Sequence, residues 1–102
     1  MKLEGLSFVT TINDYISTPG EILLEEFLVP LGISQYKLAS AIGKPQSAIS
    51  DIVHGRRAIT VEMAWLLSEA LGTSPEFWIR LQTAYDLKTL DTSSLPEVKA
   101  LV

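Results

Sequence analysis

The stretch SQYKLASAIGKPQSAISDIVHGRRAIT, Ser34 to Thr60, decides the fold. It holds two short runs with helical apolar spacing, Leu38-Ala39-Ile42 and Ile49-Ile52-Val53. Local signals punctuate both. Ser34 suits an N-cap, and Gly43 ends the first run after about nine residues. Pro45 suits the first turn of the second, and Gly55 supplies the left-handed residue at its end. Only Gly43-Lys44 separates the two runs, too short a gap for anything but a tight turn between helices.

Working outward, the same grammar repeats. Upstream, Thr18-Pro19-Gly20-Glu21 reads as a capping box with proline at the first helical position. Ile22, Leu23, Phe27 and Leu28 follow as an apolar face against Glu21, Glu25 and Glu26, and Pro30 and Gly32 are expected to stop this helix. Downstream, Thr60 caps a helix that carries Ala64, Trp65, Leu67 and Leu71 and closes at Gly72. Ser74-Pro75-Glu76 opens a fifth helix, carrying Phe77, Trp78, Leu81, Ala84 and Tyr85 and fading near Lys88. Residues 1–17 read as an extended or mobile arm, and 91–102 as a loosely held tail. The domain proper is 18–90, with the paired helices at about 34–54. Five short helices and no strong strand predict an all-α fold.

Charge points to what the paired helices do. The Ser34–Thr60 stretch carries four basic residues, Lys37, Lys44, Arg56 and Arg57, against one acid, Asp51. It is therefore +3, whereas the whole chain is −4, so the remainder sums to −7. Two helices joined by a short glycine turn match a helix-turn-helix, whose second helix enters the DNA major groove. With Ile49, Ile52 and Val53 inward, Gln46, Ser47, Ser50, Asp51 and His54 point outward. Amides, hydroxyls and a carboxylate suit base edges: glutamine pairs with adenine, aspartate accepts from cytosine, and serine takes either role. Lys44, Arg56 and Arg57 lie at the ends of this helix, and His54 beside them, within reach of flanking phosphates. Gln35 and the exposed N–H groups at the preceding helix start are further phosphate donors. Double-stranded DNA is the expected partner.

Composition bounds the rest. At 102 residues with 47% hydrophobic and 20% charged, the chain suits one packed domain. With no cysteine, disulfides and thiolate metal sites are excluded, and a cytoplasmic location fits. No apolar run approaches the roughly 18–20 residues that span a membrane. The opening MKLEGLSFVTTINDY, with Glu4 and no apolar core, is not expected to be a secretory leader. A sequence pI of about 4.8 means that any attraction to nucleic acid is local. His54, the only histidine, has no plausible catalytic base partner and too few neighbours for a metal. No glycine-rich phosphate loop is present, and Glu25-Glu26 reads as a solvated acidic face. The chain is not expected to be an enzyme or to need a cofactor.

Residues 18–88 also resemble the HigA antitoxins, a branch of the Xre/Cro-C1-type (lambda-repressor-like) helix-turn-helix proteins. The segments TPGEILLEEFLVPLGISQYKLASAIG, HGRRAIT and GTSPEFWIRLQTAYDL carry the resemblance. It implies a homodimer that represses its own operon and neutralises a toxin from that operon, commonly a RelE-like ribonuclease (HigB) that cuts mRNA on the ribosome. By position, Gln46, Ser47 and Asp51 fall where the superfamily reads bases, and Gln35 at a phosphate contact. The chain departs from many relatives in having Ala48 and His54 where they have arginine.

The fifth helix carries more apolar surface than one core stripe needs. Phe77, Trp78, Ile79, Leu81 and Tyr85 are therefore candidates for a two-fold contact between copies. Leu66, sharing a face with Glu62 and Glu69, is expected to be exposed. The arm 1–17, with Val9, Thr10, Thr11 and Ile12, and the tail 91–102 are both candidates for clasping a toxin. A stand-alone repressor without a toxin, and a helical interaction module without DNA binding, are the alternative readings.

Overall fold

The structure, a computed structural model, describes residues 17–102. The expected arm therefore lies outside the described residues, except for Ser17. Within them the fold is five α-helices with no strand.

α1 opens at Pro19–Ile22, widens into a π-helical turn at Leu23–Leu28, and closes at Val29–Leu31. Its start is the expected capping box. The Thr18 hydroxyl accepts from the Glu21 N–H at 3.0 Å, and the Glu21 carboxylate accepts from the Thr18 N–H at 3.0 Å. The wide turn sends the Val29 N–H to the Leu24 carbonyl, five residues back, and sets Leu23 and Leu28 one such turn apart, both buried. Pro30 does not stop the helix, contrary to expectation. Its ring would crowd a regular ladder of i→i−4 bonds, but the π turn has already broken that ladder just before it. The stop comes at Gly32, whose φ of 67° is left-handed.

α2 runs Gln35–Ile42, α3 Gln46–Val53, α4 Val61–Leu71 and α5 Pro75–Thr89. Ser34, Thr60 and Ser74 cap α2, α4 and α5 as expected, each side chain accepting from the third N–H that follows. Pro45 is the N-cap of α3 rather than part of its first turn, with ψ at 149°. Its fixed φ suits this extended cap equally well. A short 3-10 turn, Thr92–Ser94, follows α5, and every residue from Asp86 onward is exposed. Asp91 caps that turn. The Ser93 hydroxyl and then the Ser93 amide hold its carboxyl below the usual carboxylate range.

The core is built from Leu23, Leu28, Leu38, Ala39, Ile49, Ile52, Val53, Ile59, Met63, Ala64, Leu67 and Trp78. All five helices contribute to it. Gly20 brings α1 into direct contact with the backbone of α3. A Cβ there would overlap the Ile52 carbonyl and lie 2.9 Å from the Val53 Cα. Thus α3 is fixed from behind by α1 and from the side by α2, which leaves its outer face rigidly presented.

Two assignments of apolar residues are corrected. Leu66, expected outward, is half-buried, and its neighbour Trp65 is 56% exposed. The inner face of α4 is centred on Met63, Ala64, Leu67, Ser68 and Leu71. At about 100° per residue, Trp65 and Leu66 both fall roughly 130° from that centre, on opposite flanks. On α5, Trp78 is completely buried and cannot meet a second copy, which removes it from the dimer candidates. Its ring packs on Phe27 at 5.2 Å and Phe77 at 4.9 Å, and its Nε1–H donates to Thr73 Oγ1 at 2.7 Å. Phe77, Ile79, Leu81 and Tyr85 remain half-buried.

Candidate nucleic-acid interface

Helical geometry divides α3 into two faces. Ala48, Ile49, Ile52 and Val53 are buried. Gln46, Ser47, Ser50, Asp51 and His54 lie together on the opposite side, with Gln46, Ser47 and His54 exposed and Ser50 and Asp51 half-buried. Ala48 belongs to the packed side, sealed against the domain, and is no part of the polar face.

The outward face is pre-bonded. His54 ends the helix and folds back over it. Its Nδ1 lies 2.8 Å from the Ser50 carbonyl oxygen and 3.3 Å from the Ser50 hydroxyl. A carbonyl oxygen can only accept, so in this contact Nδ1 carries a proton and donates to it. Asp51, one turn before Gly55, is gripped by both arginines. Its Oδ1 accepts from Arg56 Nε at 3.1 Å and lies 3.1 Å from Arg56 Nη2, and its Oδ2 lies 3.5 Å from Arg57 Nη2. Lys44, in the turn before α3, pairs with Glu62 at the start of α4 at 3.2 Å. Each pair has one solvent-exposed and one half-buried partner, so each contributes only about 0–1 kcal/mol to stability.

The loop that carries the arginines is held more firmly than its charges. Gly55 turns it with a φ of 77°. The backbone N–H groups of Arg56 and Arg57 both donate to the Asp51 carbonyl, at 2.7 and 3.2 Å. The loop then dives to the buried Ile59, whose N–H donates to Gln82 Oε1 at 2.8 Å. Gln82 in turn donates from Nε2 to Asp86 at 3.0 Å. Sequence reasoning missed Gln82. The available signal was its spacing: it lies four residues after Trp78 and three before Tyr85, on the inward stripe of α5, where a lone amide must find a buried partner.

Gln35 is half-buried in the first turn of α2, and the exposed Lys37 lies one turn from the α2 start. The structure therefore brings Gln46, Ser47, Ser50, Asp51, His54, Arg56 and Arg57 onto one continuous surface built by α3 and the loop after it. Among the described residues, no group of three or more acidic or histidine side chains is placed to hold a metal ion. Nor is any helix there long and apolar enough to cross a membrane.

Comparison with known proteins agrees with the helix-turn-helix fold. The helix-turn-helix family model matches residues 24–78, more than half of the chain. Virulence-associated protein I of Dichelobacter nodosus is 46% identical over 70 residues, which cover 69% of this chain and 65% of that protein. Antitoxin HigA-1 of Vibrio cholerae is 43% identical over 68 residues, covering 67% of this chain and 64% of the antitoxin. The chain thus spans just under two thirds of each of these two relatives. The solved structure described as Pseudomonas aeruginosa antitoxin HigA with the higBA promoter superposes with a TM-score of 0.76 at 36% identity, over 84% of this chain and 98% of that one. The chain belongs to the Xre-type helix-turn-helix family, in the group that includes the HigA antitoxins.

Proposed function

We propose that this protein is a dimeric operator-binding autorepressor that also neutralises a cognate RelE-like, mRNA-cleaving toxin. Its activity is binding, with no chemical step. The observation that carries the DNA half is the outer face of α3. Five polar side chains line a short helix fixed to the core, with Lys44 before it and Arg56 and Arg57 after it. In this reading α3 enters the major groove. Gln46, Ser47 and Ser50 meet base edges, while Gln35, Lys44, His54, Arg56 and Arg57 meet phosphates. Residues 18–90 form the DNA-binding domain.

A single eight-residue reading helix makes few contacts, and pairing two copies doubles them. The half-buried Phe77, Ile79, Leu81 and Tyr85 on α5 are the proposed dimer surface. Exposed Trp65 and Val61 on α4 lie beside Ile79 and Pro75 and extend its apolar area. For the toxin, the tail 91–102 offers Leu95, Val98 and Leu101, all exposed, as a segment for a partner to cover.

The deciding experiment for DNA binding is a titration of operator-length duplex from the upstream region of the protein's own operon. Replacing Arg56 and Arg57 together with alanine is expected to weaken binding to every sequence and to flatten the log–log salt slope by about 2, one contact per residue. Gln46→Ala is expected instead to relax preference at one base pair, at roughly 1–3 kcal/mol there. Unchanged binding in both variants would remove α3 from the interface. Co-expression with the product of the adjacent small reading frame tests the toxin half. Co-elution on size exclusion, with growth rescued, is expected. Separate elution with no toxicity would leave a stand-alone repressor.

A further inference from the structure

We propose that Asp51 is a latch on the DNA-facing arginines, a positioning residue that sets how tightly the protein holds any DNA, and not a reader of bases. The inference rests on the assignment of α3 and its following loop to the DNA interface. Its evidence is the occupancy of the carboxylate. To read cytosine, Asp51 must offer a free oxygen to the amino group in the groove. Here Oδ1 is taken by two nitrogens of Arg56 at 3.1 Å, and Oδ2 lies 3.5 Å from Arg57.

The pairing is a product of the backbone, not of chance approach by long side chains. The N–H groups of Arg56 and Arg57 both close onto the Asp51 carbonyl, so the turn at Gly55 returns both arginines over the residue they pair with. Gln82 holds the far end of the same loop through Ile59. Asp51 also lies in the last turn of α3, where the negative end of the helix dipole disfavours a lone carboxylate. Two arginines offset that penalty. Of the other charged groups nearby, Lys44 and Glu62 pair with each other, and Asp86, which lines the same cavity as Arg56 and Arg57, accepts from Gln82.

The consequence is competition. A DNA phosphate that binds either arginine must compete with the Asp51 carboxylate, and the three side chains together present +1 instead of +2 toward the duplex. The penalty is the same on any sequence, because it is incurred by the protein before a base is read. An acidic protein with a latched basic patch stays off bulk DNA, where phosphates alone would hold it. Preference is left to Gln46, Ser47 and Ser50.

The test compares wild type, Asp51→Asn, the Arg56→Ala/Arg57→Ala double variant and the triple combination on operator and unrelated duplexes. Glu69→Gln, on the exposed side of α4, serves as a control for the same change in net charge. Asp51→Asn is expected to tighten binding to both duplexes by the same factor, roughly two- to fivefold. The gain shrinks at high salt and disappears when both arginines are already alanine. A loss confined to one base pair of the operator would make Asp51 a base reader and overturn the latch. So would a uniform loss, or an equal gain from Glu69→Gln. If wild type binds no duplex at all, the DNA assignment itself fails. The latch is then decided by the Arg56 Nε–H resonance, which must shift in Asp51→Asn; an unshifted resonance overturns it.

Discussion

Gly20→Ala is expected to lower the thermal unfolding midpoint by roughly 10–20 °C, the equivalent of about 2–4 kcal/mol in a domain of this size. The sign is not obvious from the helix alone. Alanine is the better helix former, by up to about 1 kcal/mol, and glycine gives up more entropy on folding. At this position those gains are outweighed. The added methyl would meet the Ile52 carbonyl and the Val53 Cα, which are backbone atoms of the buried side of α3 and have no rotamer to change. Relief requires α1 and α3 to separate, which opens the core around Leu23, Ile49 and Ile52. The same displacement moves the outer face of α3, so operator affinity should fall even well below the melting temperature. A melt followed by circular dichroism, with an operator titration at low temperature, checks both effects. An unchanged or raised midpoint would show that α1 does not press on α3 as described.

How much of this was legible beforehand depends on the range of the interaction. The caps at Thr18, Ser34, Thr60 and Ser74, and the left-handed closures at Gly43, Gly55 and Gly72, are settled within three or four residues and could be read directly. The polar outer face of α3 was equally legible, because helical spacing alone sorts Gln46, Ser47, Ser50, Asp51 and His54 from the apolar positions. What could not be read was which of two apolar neighbours faces in. α4 and α5 are apolar on more than one side, so Trp65 and Trp78 look equivalent until packing of Trp78 against Phe27 of α1 fixes the rotation of α5. The π turn in α1 was hidden for a similar reason. Pro30 normally ends a helix, and only the tertiary need to bury both Leu23 and Leu28 favours the wide turn that lets the helix pass through it. The Asp51 pairing sits between these cases. Its residues are close in sequence, but their meeting depends on the reversal at Gly55 and on the Gln82 anchor, 23 residues away from Ile59.

Trp78→Ala is expected to cost about 3–5 kcal/mol, a large share of the roughly 5–15 kcal/mol that holds a domain of this kind together. Three losses combine. The ring is completely buried, so its removal leaves a cavity between α1 and α5. Its contacts with Phe27 and Phe77 disappear. The Thr73 hydroxyl also loses the indole N–H that it accepts at 2.7 Å. The prediction separates a core role from an interface role because the two depend differently on concentration. A core residue lowers the stability of each folded chain, so the drop in urea midpoint should be the same at low and high protein concentration. An interface residue would leave the monomer intact and shift only the monomer–dimer equilibrium. Ile79→Ala supplies the contrast: half-buried on the flank of α5 beside Trp65, it should weaken self-association more than it weakens folding. If Trp78→Ala instead gave a well-folded monomer with a near-native midpoint, the inward rotation of α5 would be wrong, and with it the assignment of Phe77, Ile79, Leu81 and Tyr85 to the outer surface.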